Sequence, residues 1–311
     1  MAIKIPPAEI HSRVTLKTFD DQEYLRRSVE LGVGLNSLMA DQGLSMGQFR
    51  RILDFGVGCG RILVNYEHLF EEIEFYGTDI DSVTVNWCRA NIAGPRFSVN
   101  EAWPPLEYPT AFFNFIYSIS VFTHLPEDMM MAWLAEIARV LAPGGVFLAT
   151  THGDYCAQLF LPNPNDVEEF RRTGQHYQMN IHDHVLPDWY QTMFLSRERA
   201  TAVLSQFFDD VLFVPRGLCN YQDALIACKH PHARQDSVLW ERTSKEVAEL
   251  RAELQALRKA SATTIQELES LKAGHDDLND RMNTLLERIR NWLLPTLEKH
   301  SAALKHRRRL W

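Results

Sequence analysis

The chain has 311 residues, of which 46% are hydrophobic and 23% charged, a globular composition that excludes an intrinsically disordered protein. The formal net charge of −8 argues against general nucleic-acid binding, and the five cysteines, with no CxxC pair, favour a cytoplasmic protein without disulfides or zinc. Because no apolar run approaches about 18 residues, we expect no transmembrane span.

The first predicted unit is an N-terminal helical segment, residues 1–46, which we expect to cap the substrate. Within it, residues 21–44 follow the pattern of an amphipathic helix. Because glycine weakens helices, we expect a break around Gly32 and Gly34.

Residues 47–230 alternate short apolar strands with amphipathic helices, which predicts a parallel α/β sheet with right-handed crossovers. An insertion at 153–194, rich in aromatic residues and histidine, is predicted to be irregular. Two late strands, joined by a turn containing Gly217, are predicted to be antiparallel. The predicted strands cover 50–55, 73–81, 96–100, 112–120, 146–152, 208–215 and 221–229, and the predicted helices 61–70, 82–91, 126–142 and 196–207.

A heptad repeat begins at Trp240, and its a and d positions are mostly Leu, Ile, Val, Met or Trp. This pattern predicts a coiled coil over 238–292. We expect self-association through 240–292, with a heteromeric coiled-coil partner as the alternative. The basic tail, 293–311, ends in KHRRRLW and could add a weak, reversible contact with an anionic membrane surface.

The segment LDFGVGCGR places Gly56, Gly58 and Gly60 directly after a strand and before a predicted helix. Such a turn lets a nucleotide-like ligand approach the backbone and the free N–H groups. A dinucleotide fingerprint would read GxGxxG/A, but Arg61 stands at its last position. Asp79, at the end of the second strand, suits a ribose diol under either a dinucleotide or another nucleotide cofactor.

Four motifs, in this order and spacing, resemble those of class I S-adenosylmethionine-dependent methyltransferases, with the closest likeness to a bacterial subgroup that often accompanies glycosyltransferases. The resemblance covers residues 52–229. It implies a Rossmann-like, seven-stranded, doubly wound sheet whose last strand is antiparallel. The motifs are LDFGVGCGR, YGTDIDS, FNFIYSISVFTHLPE and RVLAPGGVFLATTHG.

The resemblance also implies positions for the cofactor, S-adenosyl-L-methionine. Gly56, Gly58 and Gly60 would line its methionine and ribose portion, and Asp54 would support the turn and the ammonium group. Asp79 would take the ribose hydroxyls. The remaining expected contacts are Ile80 on adenine, Glu101 or Ala102 near the adenine amino edge, and Ser118 at the methionine end.

Methyl transfer needs an acceptor aligned with the S–CH3 bond, and an oxygen acceptor benefits from a general base. The fourth strand ends in SISVFTHL, without the Asn/Asp-Pro-Pro-Tyr motif of N-methyltransferases, so we expect O-methylation. His152 is the first candidate base, with Asp154 and His124 behind it. From the resemblance we expect a sugar, a glycan or another small polar acceptor.

Two alternatives remain open. One is a catalytically weak, methyltransferase-like scaffold that organises partners through its coiled coil, and the other is an NAD-dependent enzyme. His176, His182 and His184 suggest a metal site, but no fixed helical spacing supports one, so we expect none. Trp189 and Tyr190 either line an acceptor pocket or belong to the core.

Overall fold

A computed structural model describes residues 4–15, 18–161, 163–179 and 187–230. The predicted coiled coil and basic tail lie outside this part of the chain, as do His182 and His184. Among the described residues, no helix combines the length and the apolar character needed to cross a membrane.

The predicted alternation of strands and helices is confirmed. The strands are β1 (Arg51–Phe55), β2 (Glu74–Asp79), β3 (Arg96–Val99), β4 (Phe113–Ser118), β5 (Leu141–Thr151), β6 (Gln175–Gln178), β7 (Thr192–Leu195), β8 (Asp210–Leu218) and β9 (Gln222–Cys228). The helices are α1 (Ala8–Thr15), α2 (Asp21–Ala40), α3 (Ser82–Asn91), α4 (Glu127–Val140), α5 (Asp154–Phe160), α6 (Pro164–Thr173) and α7 (Arg197–Leu204). Short 3₁₀ helices cover Met46–Gln48 and Leu63–Leu69.

The main sheet has seven strands in the order β3-β2-β1-β4-β5-β9-β8. The strands β1 to β5 pair in parallel, and β9 is antiparallel to both of its neighbours, as the Rossmann-like prediction requires. The turn between β8 and β9 lies at Cys219 and Asn220, both with positive φ, rather than at Gly217.

Alternate residues of the strands enter two different cores, one on each face of the sheet. Leu53 of β1 packs in a cluster with Leu134 of α4, and the neighbouring Ile52 packs in another with Leu35 of α2. Both strand residues are fully buried. The sheet is therefore doubly wound, and α2 belongs to one of its two helical layers.

The predicted break in α2 is wrong, because its two glycines serve close packing. A Cβ atom on Gly32 would lie 2.6 Å from Cγ of Asn65, and one on Gly34 would lie 2.8 Å from Sγ of Cys219. Helix α2 runs unbroken from Asp21 to Ala40. These positions need the absence of a side chain and not a special backbone conformation.

The helix predicted over 61–70 is instead the 3₁₀ helix Leu63–Leu69, with non-helical angles at Tyr66. The Asn65 side-chain amide donates to the carbonyls of Arg61 and Ile62, at 3.2 and 3.0 Å. A side chain that occupies the carbonyls of the first turn competes with regular helical bonding.

The insertion at 153–194 is more regular than predicted, since it contains α5, α6 and a two-stranded sheet of β6 and β7. The sequence does carry signals for α6. Asn163 caps its start, Pro164 follows at the first helical position, and Gly174 ends it in a left-handed conformation.

Candidate cofactor and acceptor site

A cavity of about 180 Å³ opens at the carboxyl ends of β1, β2 and β4. This is the edge at which open α/β sheets bind ligands. Its lining comes from the glycine turn after β1, the acid at the end of β2, the loop after β3, the loop after β4 and the end of the insertion. Helix α1 contributes Arg13 and Val14.

The glycine turn has the conformation that its sequence demands. Gly56, Gly58 and Gly60 have φ values of 86°, 51° and 76°, which disfavour any side chain. Gly56 and Gly58 line the cavity. Gly60 lies away from it, and a Cβ atom there would be 2.5 Å from Cδ1 of Ile92. The third glycine therefore allows the turn to pack closely on the end of α3.

Asp79 lies at the cavity with both carboxylate oxygens fixed by the backbone. The N–H of Gly58 donates to one oxygen at 2.8 Å, and the N–H of Asp81 donates to the other at 2.9 Å. Burial raises the pKa of Asp79, and these two bonds oppose that shift. The carboxylate thus ties the glycine turn to the start of α3.

The predicted adenine contacts come together beside Asp79. Ile80, Glu101 and Ala102 all line the cavity. Asn100, which the sequence analysis missed, lines it too and accepts a hydrogen bond from the Thr78 hydroxyl at 2.8 Å. Its position as the last residue of the third predicted strand was the available signal.

Asp54 and Ser118 lie behind the cavity instead of lining it. Asp54 is buried, accepts a hydrogen bond from the Tyr117 hydroxyl at 2.8 Å, and has its pKa raised by burial to about 8. Ser118 is fully buried within β4. Its two successors, Ile119 and Ser120, take the place at the cavity that we predicted for Ser118.

Of the three candidate bases, His124 is the one that lines the cavity. Its Nδ1 lies 2.7 Å from the carbonyl oxygen of Gln191. Because a carbonyl only accepts, Nδ1 carries the proton of the neutral ring, and Nε2 is the nitrogen that can take one. The ring stacks on Tyr190 at 4.3 Å, and both Tyr190 and Trp189 line the cavity.

His152 and Asp154 are not among the lining residues, contrary to their predicted order of preference. His152 is buried behind His124, with ring centroids 6.3 Å apart, and its Nε2 lies 3.3 Å from the Gln222 amide nitrogen. Its carbonyl accepts a backbone hydrogen bond from Leu195, so β7 covers it. Asp154 is exposed at the start of α5.

His176 lies away from the cavity, beside two carboxylates of α6. Its Nδ1 is 3.0 Å from Glu169, and Asp166 completes a group whose possible ligand atoms lie within 4.8 Å of one another. The hydrogen-bond contact between His176 and Glu169 accounts for this cluster without a metal. That the protein uses no metal stays a prediction.

The sheet order, the glycine turn and the acid that ends β2 together define a nucleotide-binding α/β fold of the methyltransferase class. Residues 52–145 match the family model described as a methyltransferase domain. This part of the chain thus matches a methyltransferase domain, for which the cofactor is S-adenosylmethionine.

Two curated proteins give partial matches. The chain is 34% identical over 103 residues to a fatty-acid O-methyltransferase of Mycolicibacterium smegmatis, covering 32% of this chain and 36% of the relative. It is 31% identical over 130 residues to the probable methyltransferase ltbC of Aspergillus luteorubrus, covering 38% and 44%. The matches thus span less than half the length of either relative.

Among solved structures, a SAM-dependent methyltransferase from Methanosarcina mazei aligns with a TM-score of 0.42 and 19% identity. It covers 58% of this chain and 92% of its own. An O-methyltransferase family protein from Burkholderia thailandensis aligns with a TM-score of 0.48 and 11% identity, covering 69% and 61%.

Proposed function

We propose that the protein is an S-adenosylmethionine-dependent O-methyltransferase that acts on a small acceptor. One observation carries this proposal: a single cavity is lined by the glycine turn, by Asp79 and by His124. The first two suit the cofactor, and the histidine suits a hydroxyl that must lose its proton. Transfer to oxygen also agrees with the similarity to the mycobacterial fatty-acid O-methyltransferase.

In this proposal each residue has a defined task. When bound, S-adenosylmethionine supplies a methyl group on a positively charged sulfur. Asp79 accepts the ribose hydroxyls, while Gly56 and Gly58 let the cofactor approach the backbone. His124 takes the acceptor proton at Nε2, and the carbonyl of Gln191 holds the ring in the tautomer that can do so. Asp154 and His152 become secondary candidates.

The acceptor side of the cavity is aromatic and apolar. Val121, Trp189 and Tyr190 line it, and such surfaces pack equally well on a sugar ring or on an apolar chain. A sugar or glycan acceptor, and an association with glycosyltransferases, rest on the sequence resemblance. A hydroxyl or carboxyl group on a more apolar acceptor is the second candidate, which the fatty-acid relative favours.

The remaining proposals rest on sequence alone. They are a cytoplasmic location, a coiled coil over 238–292 that joins copies of this chain or binds a different partner, and a basic tail at 293–311 that touches anionic membranes weakly.

Calorimetry with S-adenosylmethionine and with NAD tests the cofactor, and only the former should bind. Turnover is then measured with methyl-labelled cofactor against a panel of sugars, phenols and fatty acids. His124→Gln should lower turnover by roughly 10²- to 10⁴-fold without changing cofactor affinity. His152→Gln is the matched control. Cofactor binding without turnover on any acceptor would favour the scaffold, and a larger loss in the control would return the base to His152.

A further inference from the structure

Arg61 directly follows the glycine turn in the sequence, at the position where a dinucleotide-binding motif would have Gly or Ala, and it lines the cavity. Among the described residues, no carboxylate forms an ion pair with it. Its Nε is buried and has no hydrogen-bond partner within the described ranges. The cavity therefore contains a cation whose charge the described part of the chain leaves uncompensated.

Among the described residues, the titratable groups that act most on the charge of Arg61 do not neutralise it. They are the Cys59 and Cys219 thiols, the Tyr24 hydroxyl and the Arg27 guanidinium. Burial raises the pKa values of both thiols and of the hydroxyl, which keeps them neutral, and Arg27 repels the charge. Burial also lowers the pKa of Arg61 itself. Burying a cation without a counter-ion is costly, so an anion that enters the cavity would be strongly favoured.

The backbone of Arg61 is held in place from two sides. Its carbonyl accepts hydrogen bonds from the Ser28 hydroxyl on α2 and from the Asn65 side chain, the latter at 3.2 Å. The backbone that carries the guanidinium is therefore held in one position beside Gly58 and Gly60. A fixed fork of N–H donors is the arrangement that binds a carboxylate with two parallel hydrogen bonds.

The other arginine in the cavity already has a counter-ion. Arg13 donates two hydrogen bonds to Asp81, one of them at 3.1 Å. S-adenosylmethionine has a single anionic group, the carboxylate of its methionine portion, and we placed that portion at the glycine turn. We infer that Arg61 binds the methionine carboxylate of the cofactor. This inference rests on the proposed function, and it assigns Arg61 as the residue that selects cofactors carrying this group.

The test compares two ligands that differ only in the carboxylate, S-adenosylmethionine and decarboxylated S-adenosylmethionine. The full-length wild type should prefer the former by about 10- to 100-fold, the range typical of a hydrogen bond to a charged group. Arg61→Met should bring the two affinities within about threefold, mainly by weakening S-adenosylmethionine. Arg61→Lys keeps the charge but loses the paired N–H donors, so its preference for S-adenosylmethionine should lie between that of the wild type and that of Arg61→Met.

Arg27→Met is the matched control, because it removes a nearby guanidinium that does not line the cavity; it should keep the wild-type preference. Removing an uncompensated charge should not destabilise the empty protein, so Arg61→Met should melt at or above the wild-type temperature. Equal weakening of both ligands by Arg61→Met would show a structural role and overturn the inference. The inference would also be overturned if Arg61→Met left the cofactor affinity unchanged and raised the KM for a carboxylate acceptor, because Arg61 would then bind the acceptor. A wild type that binds neither ligand would refute the proposed function itself.

Discussion

Replacing Asp79 with asparagine tests the ribose site with the least change in shape. The N–H groups of Gly58 and Asp81 each donate to one Asp79 oxygen, at 2.8 and 2.9 Å, and a carboxylate with about four acceptor positions can still accept from the ribose hydroxyls. Asparagine keeps one acceptor oxygen and loses the charge. Because hydrogen bonds to charged groups contribute about 1.5–3 kcal/mol, the affinity for S-adenosylhomocysteine should fall roughly 10- to 100-fold.

The assay is titration calorimetry at several pH values, with thermal unfolding as a check that the variant is folded. Burial raises the pKa of Asp79, so protonation should weaken wild-type binding as the pH falls, beginning above the pH at which an ordinary aspartate would respond. Asp79→Asn should lack this pH dependence. Asp20→Asn, which can still cap α2 and lies away from the cavity, is the control. A folded Asp79→Asn protein with wild-type affinity would refute the assignment of the ribose site.

Three further predictions concern other parts of the chain. Burial raises the pKa of Asp54 to about 8, above its unfolded value of about 3.9, so the free energy of unfolding should decrease as the pH rises from about 4 to 8. Urea titrations at the two ends of this window should show that Asp54→Asn lacks that decrease. Arg13→Met breaks a partly exposed pair worth at most about 1 kcal/mol, so stopped-flow experiments should show cofactor release up to about fivefold faster, and an unchanged rate would refute a role for α1 in retention. In light scattering, the full chain should show a multiple of 35.9 kDa, and a chain ending at Ser237 should be a monomer; a full-length monomer would rule out self-association.

The sheet could be predicted because each strand carries its own local signal. Alternating elements set the parallel order, and the acid, glycine and apolar residues of LDFGVGCGR mark the first strand and its turn. The cap of α3 is equally local, since the Asp81 side chain accepts from the N–H of Val83, two residues later. Signals of this kind depend on neighbours in sequence.

The misplaced candidates depend on contacts that are distant in sequence. His152 follows a strand that ends at the cavity edge, but β7 pairs across it and buries the ring. No sequence signal near residue 152 predicts its pairing with β7. In the same way, Gly32 looks like a helix breaker until Asn65, 33 positions later, is found against it. Local propensity yields where tertiary packing decides the conformation.

The contact between α2 and the glycine turn limits how far this protein can be truncated at its N-terminus. The family match begins at residue 52, but Leu35 and Met39 of α2 are completely buried in the core behind β1. Hydrogen bonds also join α2 to the chain after the glycine turn. The Ser28 hydroxyl donates to the carbonyl of Arg61, and the Asn65 side-chain amide donates to the carbonyls of both Ser28 and Arg61. A fragment trimmed to the matched residues would expose an apolar face and release the cofactor turn. The smallest piece able to fold on its own must therefore begin no later than the start of α2.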